Sequence, residues 1–116
     1  MKWGTVELEP EVASWLATLD DKRWAQAVMH LDLLEQRGVH LGEPYTRQLD
    51  GKLRELRFFC GGDRMRVSYW IAPGRRIIML TVFPKTRMRE FAEVERARQA
   101  FKRCREEAHT LDEEEL

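Results

Sequence analysis

Arg57, Arg66 and Lys85 are the residues whose types and spacing point most directly to chemistry. All three lie in the stretch from Lys52 to Lys85, which reads as three strands joined by two tight turns. Gly61-Gly62 is a hairpin-turn dipeptide, and Pro73-Gly74 punctuates the next connection. A first loop symmetric about Gly61-Gly62 sets Arg57 directly opposite Arg66. Like charges facing each other across an antiparallel pair destabilise it, so this pair makes sense around an anion. Arginine offers a planar fork suited to phosphate oxygens, and lysine a point charge.

Strand alternation predicts their neighbours. One face takes Leu56, Phe58, Met65, Val67, Tyr69, Ile71, Ile78, Leu80 and Val82, an almost wholly apolar set expected to be the core face. The other takes Glu55, Arg57, Arg64, Arg66, Ser68, Met79, Thr81 and Phe83, with Lys85 if the alternation continues past Pro84. Glu55, Arg64, Thr81 and Phe83 are therefore candidate substrate contacts, with Phe83 a stacking surface for an unpaired base. Such stacking is typically worth ~1–3 kcal/mol. Arg87 and Arg89 widen the basic rim. The alternative is that Glu55 and Asp63 make ordinary surface ion pairs with these arginines, but the basic groups outnumber them.

The elements expected to position these residues are of the α+β class. Trp3 to Leu8 alternates like a short strand, and Pro10 fits the first turn of a helix with Val12, Trp15, Leu16 and Leu19 on one face. Asp20 is placed to cap a second helix, which Gly38 stops, giving an antiparallel helical hairpin. Residues 39–52 read as a loop. Strands follow over 53–59, 65–71 and 76–83, then a helix over 88–108 with Phe91, Val94, Ala97, Phe101 and Cys104 on one stripe. Residues 1–108 are expected to form one domain and 109–116 an acidic, disordered tail.

The chain has 116 residues, 43% apolar and 34% charged, which suits one soluble domain. No run approaches the roughly 18 apolar residues of a membrane span, and Glu7, Glu9 and Glu11 stand where a secretory signal needs an apolar block. The expected location is cytoplasmic. Cys60 and Cys104 have no metal-ligand spacing, and no cofactor is implied. The net charge of zero hides a partition. Residues 1–46 hold four Lys/Arg against eight Asp/Glu (−4), 47–105 sixteen against six (+10), and 106–116 none against six (−6). A basic middle suggests a polyanion partner.

The order strand, helical hairpin, three strands, helix resembles the RelE/ParE superfamily of bacterial toxins. The segments L-R-E-L-R-F (53–58), R-M-R-V-S-Y (64–69), I-I-M-L-T-V-F-P-K-T (77–86) and E-V-E-R-A (93–97) resemble its HigB-like, phage-related branch, in the right order and spacing. The resemblance implies a RelE-like fold, with the N-terminal strand and hairpin packed on a small, mainly antiparallel four-stranded sheet. It implies a type II toxin, a ribosome-dependent mRNA endoribonuclease that inhibits translation and is neutralised by a cognate antitoxin, commonly a helix-turn-helix DNA-binding protein. By motif position Arg57, Arg66 and Lys85 are its catalytic residues.

His30, His40 and His109 have no triad or metal spacing, and the basic face has no acidic cluster. Metal-independent transesterification remains: the ribose 2′-hydroxyl attacks phosphorus, leaving a 2′,3′-cyclic phosphate and a 5′-hydroxyl. Arg57 and Arg66 clamp the non-bridging oxygens, Lys85 protonates or stabilises the leaving oxygen, and Glu55 is either general base or orienter of an arginine. Two other functions stay open: a ParE-like gyrase inhibitor, and a non-catalytic nucleic-acid-binding or regulatory module. The acidic end either shields the basic face or is a solubilising tail.

Overall fold

The computed structural model describes residues 1–85 and 90–115, with side chains placed through residue 107. The elements run β1 (Thr5–Leu8), α1 (Pro10–Ala17), α2 (Asp21–Arg37), a 3-10 turn (Gly38–His40), β2 (Thr46–Asp50), β3 (Leu53–Cys60), β4 (Asp63–Ala72), β5 (Arg76–Pro84) and α3 (Glu90–Glu115). The sheet order is β1-β5-β4-β3-β2, with β1 parallel to β5 and the other pairs antiparallel.

Local chemistry explains the hairpin. Pro10 occupies the first turn of α1. The Asp20 carboxylate accepts from the Arg23 N–H at 2.9 Å, capping α2, and Gly38 ends it at φ 51°. Val12, Leu16, Ala27, Leu31 and Leu34 pack on Leu56, Phe58, Val67 and Tyr69 of the sheet. At the β3–β4 turn, Gly61 and Gly62 take φ 60° and 89°. Positive φ at both central residues is the primed hairpin turn that glycine permits without strain.

The sheet has five strands, not the expected four. The added strand is β2, which falls in the segment read as a loop. Thr46, Arg47 and Gln48 pair with Leu56, Glu55 and Arg54 before a bulge at Gln48/Asp50. Gly42, Pro44 and Gly51 bracket this short edge strand and mask its alternation.

Both faces of the sheet are covered. Leu53, Trp70, Ala72, Ile78 and Leu80 pack beneath α3 against Ala97 and Cys104. The expected face assignment for β5 therefore fails over its first half. Ile77 and Met79 face the hairpin, while Ile78 and Leu80 face α3. The cause is a bulge: Ser68 opposes Thr81 but Tyr69 opposes Met79, leaving Leu80 as the extra residue. Two backbone N–H groups of β5 are then satisfied by side chains, Thr81 by Ser68 Oγ at 3.1 Å and Val82 by Glu11 Oε2 at 2.8 Å.

The stripe expected on α3 holds at Ala97, Phe101 and Cys104, but Phe91 is 81% exposed. The helix runs to Glu115, beyond the expected end at Ala108. Among the described residues, no helix is long and apolar enough to cross a membrane.

Candidate functional site

The expected register is present: Arg57 pairs with Arg66 across the β3–β4 ladder, and Arg66 pairs with Phe83 on β5. Lys85 continues the line of β5, its N–H donating to the Arg64 carbonyl at 2.8 Å. Arg57, Arg64, Arg66 and Lys85 all line one cavity of about 370 Å³.

The anion between the opposed arginines is internal. Glu55, two residues before Arg57 on the same side of β3, is fully buried. Its carboxylate lies 3.3 Å from Arg66 Nη1 and 3.9 Å from Arg57 Nε. Among the described residues neither of its oxygens accepts a well-directed hydrogen bond. Burial pushes the Glu55 carboxyl above its ordinary pKa; Arg66, Arg57 and Arg47 pull the other way, and Glu90 adds to the rise. Desolvation outweighs the three guanidinium groups.

Arg66 is only 2% exposed and is also ion-paired with Glu90, at the start of α3. It thus bridges sheet and helix. Arg57 is a third exposed, and Arg64 and Lys85 are exposed. The open cationic rim is therefore Arg57, Arg64 and Lys85, with Arg66 behind it.

Other predicted contacts are placed differently from the open face that alternation suggested. Thr81 is buried, and its hydroxyl is bonded to Ser68 Oγ. Phe83 is 3% exposed, so its ring is packed rather than open to a base. The physical reason is that this face carries α3, which alternation alone does not reveal. Arg87 and Arg89 lie outside the described residues.

The cavity also gathers side chains that the sequence reading left out. Phe59, 60% exposed, carries the Arg64 guanidinium 5.6 Å from its ring centroid. Tyr45, 38% exposed, is tied to the site because its carbonyl accepts from the Arg57 N–H at 2.8 Å. His30 of α2 stacks on Phe58 at 4.8 Å and 16°, and its Nδ1 lies 2.7 Å from the Gln26 carbonyl. Sequence spacing held no signal for His30 and Tyr45, since they reach the cavity from another helix and from the segment before β2. Phe59 was adjacent to the candidate strand residues, and its odd position already placed it on the side of Arg57. Among the described residues, no group of His, Cys, Asp and Glu is arranged to hold a metal ion. Burial pushes both cysteine thiols up, which leaves them poor nucleophiles.

In comparisons with known proteins, no curated sequence matches. The fold is similar to that in the crystal structure of the archaeal RelE–RelB complex from Pyrococcus horikoshii OT3. That match has 22% identity and a TM-score of 0.56, covering 72% of this chain and 97% of that one. It is also similar to a double arginine-to-alanine mutant of the E. coli toxin RelE in the free state, at 14% identity and a TM-score of 0.60. That match covers 89% of this chain and 98% of the other. These likenesses establish the RelE-like fold. Residues 14–103 match the family described as phage derived protein Gp49-like (DUF891), a span that carries most of the hairpin, all three long strands and the site. The chain is a member of the phage-derived Gp49-like family, a RelE/HigB-type toxin family.

Proposed function

We propose that this protein is the toxin of a type II toxin–antitoxin system and acts as a ribosome-dependent, metal-independent mRNA endoribonuclease. The observation that carries this reading is the Arg57–Arg66 pair opening, with Lys85, onto one cavity in a chain of this family. The RelE–RelB neighbour supports an antitoxin partner, and a helix-turn-helix repressor is the class we assign to it. The ribosome and mRNA are the proposed targets, and the cytoplasm the proposed location. Residues 1–108 form the proposed toxin domain and 109–116 an acidic tail outside it.

In this mechanism the ribose 2′-oxygen bonds to phosphorus and the bond to the 5′-oxygen breaks. The 2′-hydroxyl proton passes to water, and the Lys85 ammonium supplies a proton to the leaving oxygen. Arg57 holds the non-bridging oxygens at the cavity wall. Arg66 joins it once phosphate displaces Glu90, because a carboxylate and a phosphate compete for the same guanidinium. Glu55, with no exposed surface, orients the two arginines rather than touching the 2′-hydroxyl. With no strong base at hand, the ribosome supplies substrate geometry, and positioning of this kind can contribute ~7–11 kcal/mol.

The double ion pairing of Arg66 favours one second reading, a module that binds RNA without cutting it. Cleavage of ribosome-bound mRNA decides between them. Folded Arg57→Ala and Lys85→Ala proteins are expected to lose at least ~100-fold in rate, by analogy with removal of an oxyanion donor. Wild-type rates in both variants would sink the catalytic assignment. Salt-sensitive RNA binding with intact mRNA would establish the binding module, and intact mRNA with accumulating DNA breaks would establish gyrase inhibition.

A further inference from the structure

Glu55 is a buried carboxylate with cations beside it and no hydrogen bond to hold its charge. We propose that Glu55 is a proton-coupled counter-ion of the cationic site. When a phosphate group takes Arg57 and Arg66, Glu55 takes up one proton from solvent, so phosphate binding tightens as pH falls. The inference rests on the reading of the cavity as an RNA site and adds a proton to the bound phosphate.

A carboxylate that stays ionised inside a protein accepts N–H or O–H groups as well as facing positive charge. Glu35 does so, accepting from the Val6 N–H at 2.7 Å and pairing with Lys2 at 2.9 Å. Neither oxygen of Glu55 has such a donor among the described residues. Ser68 stands directly opposite it on β4, but that hydroxyl is committed to Thr81, whose hydroxyl it bonds and whose N–H it accepts. The ionised form of Glu55 is held by charge alone.

Four charged groups face it among the described residues. Arg66 Nη1 reaches it from β4 at 3.3 Å, and Arg57 Nε, on its own strand, lies at 3.9 Å. Arg47, its register partner on edge strand β2, adds a third cation, and Glu90 of α3 an anion. β5 brings the Thr81 hydroxyl and no charge. Arg47 is exposed, so solvent screens its pull, and the charge on Glu55 depends mainly on the other two arginines.

Those two arginines line the cavity, and Glu55 does not. An anion entering the cavity therefore competes for the guanidinium groups that Glu55 relies on. At Arg66 it replaces Glu90, one anion for another. At Arg57 it is an added charge, because that side chain has no ion pair other than Glu55 among the described residues. A second negative charge close by disfavours the carboxylate, and burial already pushes Glu55 above its ordinary pKa. The neutral acid is then the cheaper state. The complex holds more protons than the free protein, so affinity falls as pH rises from the Glu55 value of the free protein through the higher one of the complex. Above that it levels off.

The test is isothermal titration calorimetry with oligouridine carrying 2′-O-methyl riboses, which lacks the attacking hydroxyl. It is run at fixed salt from about pH 5 to about pH 8, in buffer pairs of unlike ionisation enthalpy. Wild type is expected to take up close to one proton per bound oligomer at its maximum, where affinity drops by up to about tenfold per pH unit. Glu55→Gln removes the titrating group and should bind with no uptake and a flat pH profile. His30 is the imidazole that lines the cavity, so His30→Phe separates the two groups and should keep the wild-type uptake. That result supports Glu55 even where Glu55→Gln does not fold. Glu90→Gln should tighten binding and keep the slope. No uptake by wild type at any pH, with salt-sensitive binding intact, would overturn the coupling and leave the phosphate site standing. Uptake that survives Glu55→Gln and vanishes in His30→Phe would overturn it in favour of the imidazole. No salt-sensitive binding of the oligomer would overturn the RNA reading itself, and the coupling with it.

Discussion

The side of the sheet beneath α3 has two unlike ends. At one, Leu53, Trp70, Ile78 and Leu80 fill the space under Ala97 and Cys104, and the Trp70 indole N–H points to Cys104 Sγ at 3.3 Å. At the other, Glu55 and Arg66 are as deeply buried, but what meets them from the helix is the Glu90 carboxylate. The first end excludes water with apolar area. The second depends on each charge keeping its partner. One face therefore combines a seal that needs no specific geometry with an ionic cluster that fails when its buried cation, Arg66, is removed.

Four experiments break or sharpen that contrast. Trp70→Ala should cost about 3–5 kcal/mol of stability in urea unfolding, the range for deleting a large buried aromatic. Arg66→Ala should cost a similar amount, about 3–5 kcal/mol, because it strands the Glu55 carboxylate. The double variant Arg66→Met with Glu55→Gln should recover most of that loss. A cost of only about 1 kcal/mol for Arg66→Ala would mean that the ionic end behaves as surface and the contrast is void.

The third experiment uses pH. The folded-state pKa of Glu55 is raised, so its ionisation works against the fold. Stability is full below the unfolded carboxylate value and declines as pH rises through the raised one. Glu35 has the opposite sign. The Val6 N–H at 2.7 Å, then Lys2, hold its pKa down, so its contribution is present above the unfolded value and is lost as pH falls through the folded one. Glu55→Gln should flatten the decline towards neutral pH and Glu35→Gln the loss in acid, both read from urea midpoints across pH. The smallest stability effect is expected from Glu90→Gln. That partner is 45% exposed, so the change should stay within about 1 kcal/mol. Its readout is RNA binding, which should tighten severalfold once Arg66 is released.

The long strands and the Arg57–Arg66 pairing were legible because Gly61-Gly62 fixes the hairpin and alternation does the rest. Legibility ended where two neighbours of the same chain compete for one surface. Thr81 and Phe83 alternate as residues of an open face, yet α3 lies over that face, and no pattern local to β5 records it. Edge strand β2 was hidden by the turn formers around it. His30 read as an ordinary helix position because the rings it meets, Phe58 and Tyr45, lie elsewhere in the chain.

The bulge at Leu80 bears on how related chains are compared. Ile77, Ile78, Met79 and Leu80 are all apolar, so this part of β5 satisfies either core by composition, and only the extra residue decides which side chain goes where. A relative lacking one residue here would keep the same hydropathy profile while exchanging every side chain on the N-terminal half of the strand. Gaps in sequence alignments within this four-residue run should therefore be placed from the position of Ser68 and Thr81, whose hydroxyls are locked together, and not from matching the aliphatic residues.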